Sequence, residues 1–234
     1  MHEIEDRLLP TVVSAPTAML WRVGRRPSPL ATSAPRALPP EETKVGNRFD
    51  SLAGRFACLY LASDSRGCFM EVLGRLKPDE RLAALVADEW QERGWMRVGN
   101  VPADWRERRC RVQVAIHVDA PPFLDVDDAL TLQRRDEELR PQLDGWGIDQ
   151  LDTSVVRGRD RRVTRLIADW AWEFRSDRFP HGLSGIRYVS RLDSSQECWA
   201  VFSGVETREI GRTPLLPQDP DLLYAARRLG LTIH

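Results

Sequence analysis

No stretch of this chain restricts its fold more than residues 56–62, Phe-Ala-Cys-Leu-Tyr-Leu-Ala. Seven nearly continuous apolar positions of strand length read as a buried strand. Directly after it, Ser63-Asp64-Ser65 supplies N-cap chemistry for a helix starting near Arg66. On that helix Phe69, Val72, Leu73 and Leu76 recur at i, i+3, i+4 and i+7 and mark a core stripe. Glu71 falls on the opposite side from the centre of the stripe, where it faces solvent or a cleft. Spacing alone favours solvent.

The remaining elements gather around this pair. Residues 18–23 form a first strand ending near Arg22, after an arm at residues 1–18. Five prolines between Arg25 and Pro40 make a long loop, because proline lacks the ladder N–H and disfavours helix before it. A second helix is expected from Pro78 to about Gln91. In residues 111–118, Val112, Val114, Ile116 and Val118 alternate with Arg111, Gln113, Ala115 and His117, the pattern of a half-buried strand with a surface histidine. A short aspartate-capped helix follows over about 127–140. The strongest helix runs over 160–175, with Val163, Leu166, Ile167, Trp170 and Phe174 on its stripe. Residues 186–190 and 198–202 read as an antiparallel strand pair, and 220–229 as an amphipathic helix. The expected fold is a single α+β domain with a mostly antiparallel sheet and surrounding helices.

Composition narrows the function classes. With 34 Lys+Arg against 35 Asp+Glu, the formal net charge is -1, which lacks the basic footprint of a nucleic-acid binder. The arginine clusters at 106–111 and 157–165 are interspersed with acids and read as solvated faces. The four cysteines form no Cys-x-x-Cys pair and have no histidine at metal-ligand spacing, so no metal is expected. Residues 1–10 lack the apolar core of a signal peptide, and no run approaches a membrane span. A cytoplasmic protein is the expectation. There is no P-loop, Rossmann fingerprint, nucleophile elbow or His-Glu-x-x-His. Ser190, His181 and Asp193 hold the residue types of a triad, but only by nearness in sequence.

Three separated segments give a sharper reading. Leu20-Trp21-Arg22 is followed after the loop by Asn47-Arg48-Phe49-Asp50. Leu59-Tyr60-Leu61-Ala62 is followed by Glu71. Gly185-Ile186-Arg187-Tyr188-Val189-Ser190-Arg191 is followed by Trp199-Ala200-Val201-Phe202. In order and spacing they resemble the RES domain, named for its Arg, Glu and Ser, over residues 19–205, leaving 206–234 as a C-terminal extension packed on the same domain. On that pattern Arg48, Glu71 and Ser190 match the catalytic residues. Arg22, Arg48, Tyr60 and Ser190 match the residues that hold the substrate. Asn47 stands where the family often has glycine.

The resemblance implies a fold related to ADP-ribosyltransferase toxins and action on NAD by cleavage of the nicotinamide–ribose bond. It also implies a toxin neutralised by an antitoxin of the Xre helix-turn-helix type. Transfer of ADP-ribose to a protein, or a non-catalytic binding module, are the alternatives, and self-association stays open.

The residue chemistry fits. A carboxylate stabilises a developing oxocarbenium ion more than the ground state. Arginines hold a diphosphate bidentately, and a tyrosine ring stacks on a flat heterocycle. A serine hydroxyl orients a carboxylate or the substrate. Each residue taken alone also fits a structural role: Arg48 as a loop cation, Tyr60 as core, Ser190 as an exposed strand polar group.

Overall fold

The structure is a computed structural model that describes residues 9–37, 39, 42–44, 46–79, 81, 84, 85 and 96–234. Among the described residues there are ten strands: β1 (Val12–Val13), β2 (Leu20–Arg25), β3 (Cys58–Ala62), β4 (Asn100–Val101), β5 (Arg109–Ile116), β6 (Phe123–Asp125), β7 (Gly185–Val189), β8 (Glu197–Phe202), β9 (Thr207–Pro214) and β10 (Thr232–Ile233). Seven α-helices are described: α1 (Ser65–Leu73), α2 (Ala103–Glu107), α3 (Ala129–Glu138), α4 (Arg140–Gly145), α5 (Thr153–Val156), α6 (Arg161–Glu173) and α7 (Pro220–Leu229). The helix expected over 78–91 lies for the most part outside the described residues.

Eight strands form one sheet in the order β1-β6-β7-β8-β3-β2-β5-β9, and β10 pairs with β4 separately. Every neighbour in the large sheet is antiparallel except β6 and β7, which run parallel. A parallel pair needs a long crossover, and α3 to α6 provide it. The α+β, mostly antiparallel architecture is thus the observed one.

β3 lies in the middle of the sheet, between β8 and β2. Its side chains alternate between two apolar clusters. Cys58 and Ala62 join one with Phe49, Phe56, Phe69 and Leu73, while Leu59 and Leu61 join the other with Leu20, Val112, Val114 and Val201. Burial on both faces is the physical reason the run is continuously apolar. β5 alternates as expected, with Cys110, Val112, Val114 and Ile116 buried, but the strand ends at Ile116 and leaves Val118 75% exposed. His117 is exposed.

Two stretches do more than the sequence suggests. Val12–Val13, inside the expected arm, pairs with β6 at one edge of the sheet. Residues 207–214 of the C-terminal extension enter the sheet as β9, paired with β5 through a bulge at Gln113/Val114. Their alternation is weak because β9 is an edge strand with no buried side chain, and Arg208, Glu209 and Arg212 give it the charge that commonly guards an edge against pairing.

Candidate active site

Helix α1 follows β3 through the Asp64 N-cap, whose carboxylate accepts the Arg66 N–H at 2.7 Å. The sequence stripe is only part of what α1 buries. Cys68, Phe69, Met70 and Leu73 are inside, Val72 is half-buried and Leu76 is 38% exposed. The helix is covered over a wide arc because the sheet lies on one side and α7 on another.

A third neighbour decides the fate of Glu71. The β7–β8 turn comes down on the side holding Gly67, Glu71 and Gly74. A Cβ on Gly67 would sit 2.6 Å from Gln196 Oε1, and one on Gly74 would sit 2.3 Å from Leu192 Cδ1. The two missing side chains let the turn approach, and Ser190 Oγ donates to Glu71 Oε1 at 2.6 Å. Glu71 is therefore half-buried against Ser190 and does not face solvent, as spacing alone suggested. Glycines four before and three after a helical glutamate are the sequence signal for this contact.

Arg48 is carried by a braced turn. Asn47 N–H donates to Asp50 Oδ2 at 2.7 Å. The Tyr60 hydroxyl accepts the Phe49 N–H at 2.9 Å and donates to Asp50 Oδ1 at 3.1 Å. Phe49 is fully buried, which alone contributes about 1.5–3 kcal/mol. From the other side α6 presents a polar face at helical spacing. Arg161 donates to Lys44 O and Gly46 O, Thr164 to Arg48 O, and Arg165 to Asn47 O at 3.2 Å. Asp169 accepts from Ser51 Oγ at 2.6 Å and Leu52 N at 2.9 Å. The apolar stripe of α6 holds as read, with Val163 and Ile167 fully buried and Leu166, Trp170 and Phe174 packed on the core. The same helix also buries Thr164, Arg165 and Asp169 against the turn. They stand at i, i+1 and i+5; of the three, Arg165 belongs to the arginine cluster read as a solvated face, and that reading is corrected: its side chain is inside.

The Arg48 guanidinium donates from Nη2 to Val156 O at 2.8 Å and lies 5.3 Å and 5.2 Å from the ring centres of Phe49 and Tyr188. Its Nε and Nη1 are buried without a hydrogen-bond partner. Burial pushes the Tyr188 hydroxyl well above its ordinary value, with Cys198 and Glu71 adding to it and Arg48 opposing. Tyr188 thus stands within electrostatic reach of both Glu71 and Arg48. Burial raises the thiols too, Cys68 to about 12 and Cys198 further, so neither supplies a thiolate nucleophile near neutral pH.

The other candidates occupy different places. Arg22 gives Nε to Pro29 O at 2.7 Å, Nη1 to Tyr60 O at 3.1 Å and Nη2 to Ala31 O at 3.4 Å. All three nitrogens fasten the proline-rich loop to β3. Tyr60 packs its ring against the core and has its hydroxyl engaged by the Arg48 turn. The proline-rich loop forms one wall of a cavity of about 490 Å³, opposite Asn47, Asp50, Phe56 and Arg75. No triad assembles: Ser190 donates to Glu71, Asp193 accepts from Ser195 and His181 is exposed. Among the described residues no group of His, Cys, Asp or Glu is arranged to hold a metal ion. No described helix is long and apolar enough to cross a membrane.

The RES domain family model matches residues 19–222 of this chain. Among solved structures, the chain is similar to a chain of the M. tuberculosis MbcT–MbcA toxin–antitoxin complex. The TM-score is 0.51 at 14% identity, over 97% of this chain and 95% of that one. No curated protein matches.

Proposed function

The chain belongs to the RES domain family, and from that premise we propose that it is the toxin of a toxin–antitoxin pair, acting by cleavage of the nicotinamide–ribose bond of NAD. The observation that carries this reading is the Ser190–Glu71 hydrogen bond, which shares the neighbourhood of Tyr188 with the half-buried Arg48, whose Nε and Nη1 are buried without a partner. A half-buried carboxylate held in one orientation near a guanidinium suits a substrate whose reacting ring becomes cationic and whose neighbouring groups are anionic.

In the reaction the bond between ribose C1 and the pyridinium nitrogen breaks, and both electrons go to the nitrogen, so nicotinamide leaves neutral. The ribose takes up the positive charge as an oxocarbenium ion. The Glu71 carboxylate stabilises that ion, or holds the ribose hydroxyls, more strongly than it holds the ground state. Ser190 donates to the carboxylate and fixes which oxygen faces the substrate. A water oxygen then bonds to C1 and releases a proton, giving ADP-ribose. Arg48 holds phosphate through its fork of N–H donors. The likeness in fold to a chain from a toxin–antitoxin complex supports an antitoxin as the protein partner of this chain, and the family resemblance supports the Xre type.

Purified protein is expected to release nicotinamide from NAD, and folded Glu71→Ala is expected to lose this by about a hundredfold or more. Full activity in a folded Glu71→Ala protein removes the carboxylate from the chemistry. NAD labelled in the adenylate half separates hydrolysis, which gives free ADP-ribose, from transfer, which labels a macromolecule. Expression without an antitoxin is expected to deplete cellular NAD and arrest growth. Arrest at constant NAD argues for protein modification.

A further inference from the structure

We propose that Arg191 and Arg48 form a two-arginine clamp for the diphosphate of the dinucleotide, hung on neighbouring carbonyls at the end of α5. The proposal rests on the NAD reading above and names the group that takes the place assigned by pattern to Arg22.

Arg48 Nη2 donates to Val156 O at 2.8 Å, and Arg191 Nη1 donates to Gly158 O at 3.1 Å. The two acceptors lie two residues apart in one turn, closed by Gly158 N–H donating to Val155 O at 3.0 Å. Between them, Arg157 pairs with Asp127 through Nε at 2.9 Å and Nη2 at 2.8 Å. The other Asp127 oxygen accepts the Val189 N–H at 2.5 Å, one residue before Ser190. The circuit then returns through Ser190 Oγ to Glu71. One carboxylate therefore ties the turn that carries both guanidiniums to the strand that orients Glu71. The turn after β7 is fixed as well, because Ser190 Oγ accepts the Leu192 N–H at 3.1 Å.

Each anchoring carbonyl occupies one nitrogen and leaves donors over. Arg48 Nε and Nη1 are buried and unpartnered. Among the described residues the remaining donors of the exposed Arg191 have no protein acceptor. Buried donors without acceptors are costly and mark a place where a ligand belongs. Two neighbouring guanidiniums also repel. Partial desolvation lowers the proton affinity of Arg191, Arg48 and, less, Arg159 lower it further, and Glu71 opposes. A diphosphate relieves the repulsion and accepts bidentate bonds from both forks. Arg22 is less suited in its present place, since three of its five N–H donors hold carbonyls and fasten the proline-rich loop.

The test compares wild type with Arg191→Ala and Arg191→Lys, each checked for unchanged melting temperature. Steady-state nicotinamide release and calorimetric binding of ADP-ribose and inorganic pyrophosphate are the readouts. Arg191→Ala is expected to raise KM for NAD about tenfold or more, with kcat within about threefold, and to weaken ADP-ribose binding by a like factor. Arg191→Lys, which keeps the charge but not the fork, is expected to fall between. Unchanged KM and unchanged ADP-ribose affinity in Arg191→Ala overturn the clamp, as does a loss confined to kcat. If wild type releases no nicotinamide, the NAD reading fails, and the binding arms still judge the clamp. Pyrophosphate bound by wild type and lost in Arg191→Ala and Arg48→Ala sustains it, whereas no binding of either probe by wild type sinks it.

Discussion

Ser190 is held from four sides. Its N–H donates to Gln196 O at 2.8 Å, its hydroxyl donates to Glu71, and the same oxygen accepts from the Leu192 and Asp193 N–H groups. Removing the hydroxyl frees a carboxylate and strands two backbone donors. Ser190→Ala is expected to cost about 1–2 kcal/mol in urea unfolding and to lower kcat about ten- to a hundredfold. An activity loss without any stability loss would mean that the turn is not held by this oxygen. Arg22 makes the opposite case. Its bonds serve the proline-rich loop, so Arg22→Ala is expected to speed limited proteolysis within residues 27–37 and to raise KM for NAD less than Arg48→Ala does. An equal rise in KM would put Arg22 on the substrate. Residue types in family order named Arg22, but only the tertiary structure shows where its nitrogens go.

At the level of elements, the site is built by two helices whose less obvious faces matter. The β7–β8 turn reaches Glu71 because α1 offers Gly67 and Gly74 on that side. Gly67→Leu is expected to leave helical content intact and to lower nicotinamide release at least about tenfold by holding Ser190 away from Glu71. Undiminished activity would show that the turn approaches without this gap. On α6, Asp160 caps the helix by accepting the Arg162 N–H at 2.9 Å and pairs with the Arg162 guanidinium. Burial raises its pKa, and the Arg162 bonds outweigh that and bring it below the usual value. A depressed carboxylate stabilises the fold above its unfolded pKa and loses that contribution as pH falls through the folded one. Asp160→Ala is expected to cost about 1 kcal/mol at neutral pH and less in acid, read as urea midpoints at pH 7 and pH 3. The helix was legible in sequence from residue 160 onward, though its cap was not read there. The polar face of α6 was half-legible, since Arg161, Thr164, Arg165 and Asp169 follow helical spacing but carry charges that ordinarily face water.

For the whole molecule, the two-sided core sets the response to alkali. Burial raises Cys58, Cys68 and Cys198 among the thiols and Tyr60 and Tyr188 among the phenols. Each keeps its proton in the folded state after the unfolded chain has lost it. Their contribution is complete below the unfolded thiol value near 9 and falls away as pH rises towards about 12, the folded value of Cys68. The urea midpoint is expected to decline steadily from pH 8.5 upward, with the thiols unreactive to an aromatic disulfide at pH 8 in the native protein. Rapid modification at pH 8 would contradict their burial.

Most of the described elements follow from spacing. The apolar run at 56–62, the alternation from Arg111 to Ile116, and the aspartates before α1, α3 and α6 each fix a local conformation, because periodicity and capping act within a few residues. The family pattern brought Arg48, Glu71 and Ser190 into one list. Their meeting was decided by tertiary structure. A helix wheel reports the side of Glu71 relative to its own apolar stripe, and it has no knowledge of a turn formed more than a hundred residues later. The same holds for β9, an edge strand whose partner defines it, and for Arg22 and Arg191. Both are exposed-looking cations in sequence. The carbonyls that fold around them make one a brace for a loop and leave the other, by our proposal, free to hold phosphate.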